Sequence, residues 1–244
     1  MRSAIVIAQH GQPQLTIACV QSLRRQHGEE PPVVVVDDGS APGDIELVAS
    51  AGLNNVELLR RSRRGVTSAW NAGAAKCSAE VLVFLNNDVV TTGPWINRLC
   101  EPLRDQRCIV VGVAHRRERH LDEQTLGRLP TRVFASGWCF AVRRADFEAV
   151  DGFRVSLRLY FSDTDLQARL LRQSGCGSEA IATVTRLGLR HLGHATTSLC
   201  DTRKEQWLAD PRRFVRLWSG AACWSSAFRL LDASESLNFN RFRA

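Results

Sequence analysis

The sequence predicts an α/β protein with a mostly parallel sheet flanked by helices and a helical appendage at the C-terminal end. Two observations carry this expectation. Short apolar runs alternate with helical patterns four times in about the first ninety residues, the order that right-handed crossovers and a parallel sheet require. Two of those runs end in polar clusters, Asp37-Asp38-Gly39-Ser40 and Asn86-Asn87-Asp88. In open parallel sheets ligands bind beyond the carboxyl ends of the strands, where both clusters fall.

The elements follow in order. Ala4 to Ala8 is a continuous apolar run, and Pro13 then stands at a plausible first helical position. Leu15, Ala18, Cys19, Ser22 and Leu23 follow at helical spacing over about residues 14–25. Pro32 to Val36 carries four successive valines and runs into the acidic cluster. After a second helical stretch, Val56 to Leu59 reads as a third strand, Val66 to Ala75 as a short helix and Val81 to Leu85 as a fourth strand. Beyond residue 110 the alternation weakens. Arg116 to Arg132 is charged and lacks apolar periodicity, so it reads as a loop. Phe134 to Val142 reads as one buried strand with its entry turn, Asp146 to Val150 as a brief helix and Ser162 to Gln173 as a longer one. From Thr202 onward the pattern is helical, with Trp207, Phe214, Leu217, Trp218, Trp224, Phe228 and Leu231 among arginines.

Composition narrows the classes. With 44% hydrophobic and 23% charged residues the 244-residue chain is ordinary globular material, not disordered, collagenous or coiled coil. A net charge of +7 favours an anionic partner: a nucleotide diphosphate, an acidic membrane or a nucleic acid. The eight cysteines form no C-x-x-C pair, and the opening run reaches polar Gln9-His10 too early for a signal peptide. They read as reduced core residues of a cytosolic protein. No window approaches the roughly 18 apolar residues of a spanning helix.

Several clusters have the residue types of a working site. Asp37-Asp38 followed by Gly can accept hydrogen bonds from a nucleoside while the backbone turns, although taken alone the composition favours an Asx-type turn. Asp88 closes a hydrophobic strand and suits Mg²⁺ or Mn²⁺, which is usually held by one or two carboxylates and substrate phosphates. Arg63-Arg64-Gly65 precedes a helix start and suits a phosphate or ribose. The phosphate-loop string G-x-x-x-x-G-K-[ST] and the dinucleotide fingerprint G-x-G-x-x-G are both missing, which argues against an NTPase or a nicotinamide enzyme. Ser162 with Asp165 reads as a capping box, and Asp165 with Arg169 as an i,i+4 ion pair. That leaves Asp163 with a free side chain in the first turn, where the helix N-terminus favours the ionised form a general base needs. His191-Leu192-Gly193-His194, with Cys176 and Cys200, fits no common zinc spacing.

Taken in order, these motifs resemble the family 2 glycosyltransferases, inverting nucleotide-sugar enzymes of the GT-A (Rossmann-like) fold, with a look similar to bacterial cell-surface and rhamnosyl-type members. The matching strings are Ile5-Val6-Ile7 with its helix, Asp37 to Ser40, Gly65 to Gly73, Phe84 to Asp88, and Phe161 to Leu166 with Arg169. Together they span about residues 3 to 198, most of the chain.

The resemblance implies a metal-dependent inverting glycosyltransferase of polysaccharide or other glycoconjugate synthesis. Asp163 is its expected catalytic base. Asp38 is expected at the nucleotide's base and Asp37 in support of that loop. Ala8, Gln9, Arg64, Asn71, Asn86, Asn87 and Trp138 complete the expected donor site. Asp88 and His191 are the expected metal-side residues, for Mg²⁺ or Mn²⁺. Three positions depart from the family's usual pattern: His10-Gly11 after the first strand, Ser162 in place of a glutamate before Asp163, and Asn86 as the first residue of the D-x-D motif.

The expected organisation is a glycosyltransferase domain over residues 1–200 and a C-terminal helical extension over 201–244. The domain divides into a nucleotide-sugar-binding half, 1–114, and an acceptor-side half, 115–200. Expected partners are a UDP-, dTDP- or GDP-sugar and a hydroxyl acceptor. The expected location is cytoplasmic, with the C-terminal region packing on the domain or meeting the inner face of the membrane. The alternatives are a non-catalytic nucleotide-binding module of the same fold, and a protein that binds or glycosylates nucleic acid.

Overall fold

A computed structural model describes residues 1–24, 31–53, 55–193 and 203–219. Its first half is the predicted alternation: β1 (Ser3–Gln9), α1 (Pro13–Arg24), β2 (Val33–Asp38), α2 (Pro42–Ser50), β3 (Val56–Arg61), α3 (Val66–Lys76) and β4 (Val81–Asn86). A short β5 (Val89–Thr91), α4 (Ile96–Cys100), β6 (Val110–Gly112) and β7 (His115–Arg117) follow. Then come α5 (Glu123–Leu126), β8 (Val133–Ala135), β9 (Cys139–Arg143), α6 (Arg144–Ala149), α7 (Ser162–Ser174), β10 (Ile181–Thr183), β11 (Leu189–His191) and α8 (Arg203–Ser219).

Seven strands form the central sheet in the order β10-β6-β9-β4-β1-β2-β3. All neighbours are parallel except β9, which runs antiparallel to both β4 and β6. The chain steps outward from β1 to β3 and then returns to β4 on the other side of β1, so the order of strands switches there. Register brings the polar ends level: Gln9 pairs with Asp37, Ala8 with Asn86, and Asp38 with Arg61. The crevice at such a switch is where an α/β sheet holds its ligand.

Alternation along the strands fills a core on each face. Val6, Leu82, Phe84, Phe140 and Val142 point to one side, and Ile5, Ile7, Val83, Leu85 and Ala141 to the other. Phe84 anchors an aromatic cluster with Trp70, Phe140, Phe147 and Phe153, at ring-centroid distances of 4.9–5.7 Å. Helix α3 lies close on the sheet because residue 73 is glycine. A Cβ there would collide with Val6 and reach Val36 at 3.0 Å.

The second half departs from the sequence expectations in three places. The excursion after residue 115 is not an open loop. It holds β7 and the one-turn α5, and it buries Leu121, Leu126 and Leu129 in the main core. Phe134 to Val142 is two strands in different sheets, because the chain turns at Ser136-Gly137-Trp138. The Ser162 capping box does not form. Phe161 occupies the N-cap in a left-handed conformation, and Ser162 donates instead to the carbonyl of Leu159 at 3.1 Å.

Helix α8 packs into the body of the domain, with Phe214, Val215 and Trp218 in the same core cluster as the sheet. Trp218 donates through its indole N–H to the fully buried Asp165 at 2.9 Å, and Asp165 also holds Arg154 and the predicted partner Arg169. Trp224, Phe228 and Leu231 lie outside the described residues. Among the described residues no helix is long and apolar enough to cross a membrane.

Candidate active site

The sheet's carboxyl edge is tied together by its own carboxylates. Asp37 is buried and accepts from the backbone N–H of Ser40 at 3.1 Å, from the Ser40 hydroxyl and from Gln9 Nε2 at 3.3 Å. Asp38 accepts from the backbone N–H groups of Arg64 and Gly65, both at 2.7 Å. It therefore joins the loop after β2 to the loop before α3. Gly39 and Gly65 adopt φ of +76° and +97° in these two loops, and a Cβ on Gly39 would stand 2.7 Å from the Arg63 nitrogen. Only glycine suits such positions. His10 Nδ1 lies 3.0 Å from the carbonyl of Asp38, which anchors the chain after β1 to the same rim.

At the end of β4, Asp88 is buried and its Oδ1 stands 3.1 Å from His191 Nε2. The pairing of β11 with β5 brings His191 there across 103 residues, and the Asp88 carbonyl accepts from Leu192 N–H at 2.9 Å. The same imidazole nitrogen is 3.4 Å from Asn86 Nδ2. Trp138 stacks on His191 with 4.9 Å between centroids and 8° between planes, and its carbonyl accepts from Asn86 N–H at 2.9 Å.

Asp163 sits in the first turn of α7 and is not free. Arg116 from β7 donates through Nη2 to its Oδ2 at 3.1 Å and to Thr164 Oγ1 at 2.6 Å. Through Nη1 the same guanidinium donates to the buried Glu118 at 2.8 Å. Asp163 first and Glu118 after it hold Arg116 more firmly protonated than an ordinary arginine. The Oδ1 of Asp163 has no hydrogen-bond partner among the described residues. Gly137 packs against this carboxylate so tightly that a Cβ would come within 2.8 Å of its Cγ.

The adjacent residues Gly137 and Trp138 thus touch both halves of the site. One packs on Asp163 and the other on His191 beside Asp88. Ala8, Gln9, Asp37, Asp38 and Asn86 lie level at the carboxyl edge of the sheet, with Asp88, His191 and Trp138 next to Asn86, while Asp163 joins this group through Gly137. Arg64 contributes its backbone N–H to the rim and extends an exposed side chain. Two expected donor-site residues make bonds to the framework. Asn71 holds the Phe153 main chain at both ends of its amide, each at 2.8 Å. Asn87 donates to Thr16 on α1 at 3.0 Å.

Arg116, Glu118 and Asp210 were missing from the sequence reading. Asp210, fully buried on α8, accepts from the backbone N–H groups of Arg158, Leu159 and Tyr160 at 2.8–3.3 Å. It thereby fixes the segment leading into α7. Its sequence signal is slight: one of two acids, with Glu205, in a largely basic, aromatic helix.

Asp88 and His191 form a suitable donor pair for a divalent cation. Neighbouring ligands of an octahedral ion, each about 2.1 Å from it, stand about 3 Å apart, and these two atoms are 3.1 Å apart. Among the described residues no group of three or more His, Cys, Asp or Glu side chains forms a complete cage. His194 and Cys200 lie outside the described residues.

The fold is that of the GT-A glycosyltransferases, a mostly parallel sheet flanked by helices. The profile of glycosyl transferase family 2 matches residues 3–165, and the chain belongs to that family. An uncharacterized glycosyltransferase from Nostoc sp. is 26% identical over 125 residues, which are 50% of this chain and 37% of that protein. The match therefore spans well under half the length of this relative. Among solved structures, the mannosyltransferase PcManGT from Pyrobaculum calidifontis, in complex with GDP-Man and Mn²⁺, aligns with a TM-score of 0.63 at 16% identity, over 88% of this chain and 64% of that one. Glucosyl-3-phosphoglycerate synthase from Mycobacterium tuberculosis, with Mn²⁺, UDP and glucosyl-3-phosphoglycerate, aligns with a TM-score of 0.64 at 16% identity, over 91% and 81%.

Proposed function

We propose that the chain catalyses metal-dependent, inverting transfer of a sugar from a nucleotide diphosphate sugar to an acceptor hydroxyl. The observation that supports this reading is the Gly137-Trp138 dipeptide, whose glycine packs on the Asp163 carboxylate while its tryptophan stacks on His191 beside Asp88. A base and a cation-side pair set close together are what a single displacement needs.

In this reading Asp37 and Asp38 hold the nucleoside rim in shape, with Gln9 and the Arg64 loop around it. Asn86 borders the ribose and diphosphate, and Asp88 with His191 would hold Mg²⁺ or Mn²⁺. When bound, the ion neutralises the charge that develops on the departing nucleoside diphosphate. Trp138 orients His191 by stacking. Arg116 fixes one oxygen of Asp163, which leaves Oδ1 to accept the proton of the acceptor hydroxyl. The acceptor oxygen bonds to the anomeric carbon as the bond to the diphosphate breaks on the opposite face, so the configuration inverts. The Mn²⁺ and nucleotide or nucleotide-sugar ligands of the solved neighbours support the choice of donor class. A cytoplasmic site of action belongs to the same proposal.

A thermal-shift panel of UDP-, dTDP- and GDP-sugars with and without Mn²⁺ tests the donor, since a ligand specific to the native state raises its stability. The Asp163→Asn variant tests the base. It is expected to lose transfer by a factor on the order of 10²–10⁴ while its donor-induced shift stays intact. No donor-induced shift in the wild-type protein, or full transfer by the variant, contradicts the reading.

A further inference from the structure

Glu118 follows directly after β7 and carries a fully buried carboxylate. Burying such a charge is costly unless it is paired and hydrogen-bonded. Its Oε1 accepts from the backbone N–H groups of Arg119 at 3.1 Å and His120 at 3.0 Å. Its Oε2 accepts from Arg116 Nη1 at 2.8 Å, and its own N–H donates to the Arg132 carbonyl at 2.8 Å. Both oxygens are therefore engaged, and Arg116 is the cation that balances the charge.

The same guanidinium also reaches α7, where its Nη2 donates to Asp163 Oδ2 and to Thr164 Oγ1. An arginine beside a single carboxylate commonly grips both of its oxygens with two parallel N–H groups. Here Glu118 occupies Nη1, and Asp163 is held through one oxygen only. The support is firm. Arg116 pairs with Phe134 and His115 with Ala135 across β7 and β8. The buried Gln167 of α7 donates to the Ala135 carbonyl at 3.0 Å and accepts from its N–H at 2.8 Å. Arg116 thus approaches Asp163 from a ribbon clamped to the same helix.

We propose that Glu118 is a positioning residue of the transfer reaction: by occupying Nη1 of Arg116 it keeps the guanidinium off Oδ1 of Asp163, the oxygen that receives the proton of the acceptor hydroxyl. The proposal rests on the glycosyltransferase reading above and adds the group that holds its base open. Without the Glu118 charge, the released Nη1 can turn to Oδ1, and both oxygens of Asp163 are then committed to arginine. A carboxylate gripped in that way is a poorer proton acceptor, because each bond favours its ionised form. Glu118 has no exposed surface to offer either substrate, so its effect passes through Arg116.

The test follows release of nucleoside diphosphate from UDP-glucose, dTDP-glucose and GDP-mannose with Mn²⁺, with water or a methyl glycoside as acceptor. Glu118→Gln keeps the size of the side chain and removes its charge. It is expected to lower kcat by about tenfold or more and leave the donor KM unchanged. Arg116→Met lowers kcat by its own factor. The double variant Glu118→Gln/Arg116→Met is expected to be no slower than Arg116→Met, because Glu118 acts only through that guanidinium. A carboxylate that merely supported the fold would add its own loss in the double variant. Wild-type kcat in Glu118→Gln, or additive losses, overturns the proposal. Should Glu118→Gln fail to fold, Arg116→Lys decides. One ammonium does not bridge two carboxylates as the planar fork does, so kcat is expected to fall by about tenfold. Wild-type kcat in Arg116→Lys overturns the proposal. Failure of the parent reading looks different: the wild-type protein then neither binds nor cleaves any nucleotide sugar, or Asp163→Asn keeps full activity.

Discussion

Gly137 and Asp163 are packed so closely that no side chain fits between them: a Cβ on residue 137 would stand 2.8 Å from the Asp163 Cγ. The turn between β8 and β9 therefore sets the position of the carboxylate as firmly as α7 does. Gly137→Ala must push that carboxylate away or shift the turn. Displacements of about 1 Å cost transfer reactions about a hundredfold. Transfer by Gly137→Ala is thus expected to fall by about that factor, with donor binding by calorimetry little changed. Unaltered transfer would show that Asp163 is not the reacting group.

In the proposed reaction Asp88 and His191 act on the donor side. Asp88→Ala is expected to weaken nucleotide-sugar binding and remove its dependence on Mn²⁺. Chelation with EDTA should reproduce that effect in the wild-type protein but add nothing in the variant. Calorimetric titration with and without Mn²⁺ measures both. A variant that keeps its full Mn²⁺ response places the cation elsewhere.

Asp210→Ala leaves three backbone N–H groups, of Arg158, Leu159 and Tyr160, without their acceptor. An orphaned buried donor costs about 1–3 kcal/mol, and water reaching the partly exposed segment offsets some of that. The expected loss is about 2–4 kcal/mol in denaturant unfolding. An effect below about 0.5 kcal/mol, the range of ordinary surface substitutions, contradicts the clamp.

Burial pushes the Cys19 and Cys100 thiols from 9.0 up to about 12. The folded state therefore keeps protons that the unfolded chain releases above pH 9. Their contribution is fully present below pH 9 and is lost as the pH rises from there towards 12. The Cys19→Ala/Cys100→Ala variant is expected to show a shallower fall in Tm over that window than the wild-type protein. Parallel curves would mean that both thiols are equally accessible in the two states.

Much of this architecture is legible in the linear chain. The valine run before Asp37 and the apolar run before Asn86 each specify a buried strand. Their polar ends then fall together because parallel strands share a carboxyl edge. The second half is harder to read. Leu121, Leu126 and Leu129 are core residues at no regular period, since a one-turn helix and its flanking turns bury single side chains rather than a stripe. Ser162 and Asp165 have capping-box spacing. The box fails because Arg154, Arg169 and Trp218 all converge on Asp165.

The order of hydrophobic periods and strand-end acids was enough to determine the four parallel strands of the first half and the shared edge at which Asp37, Asp38 and Asn86 fall, because those depend on local pattern and on parallel pairing. Tertiary structure alone decided that Arg116 holds Asp163 from 47 residues away and that Trp138 stacks on His191. It also decided that Asp210 of α8 fixes the approach to α7. Such contacts arise where separate loops pack side by side, and no periodicity in a single segment records which distant segment will be its neighbour.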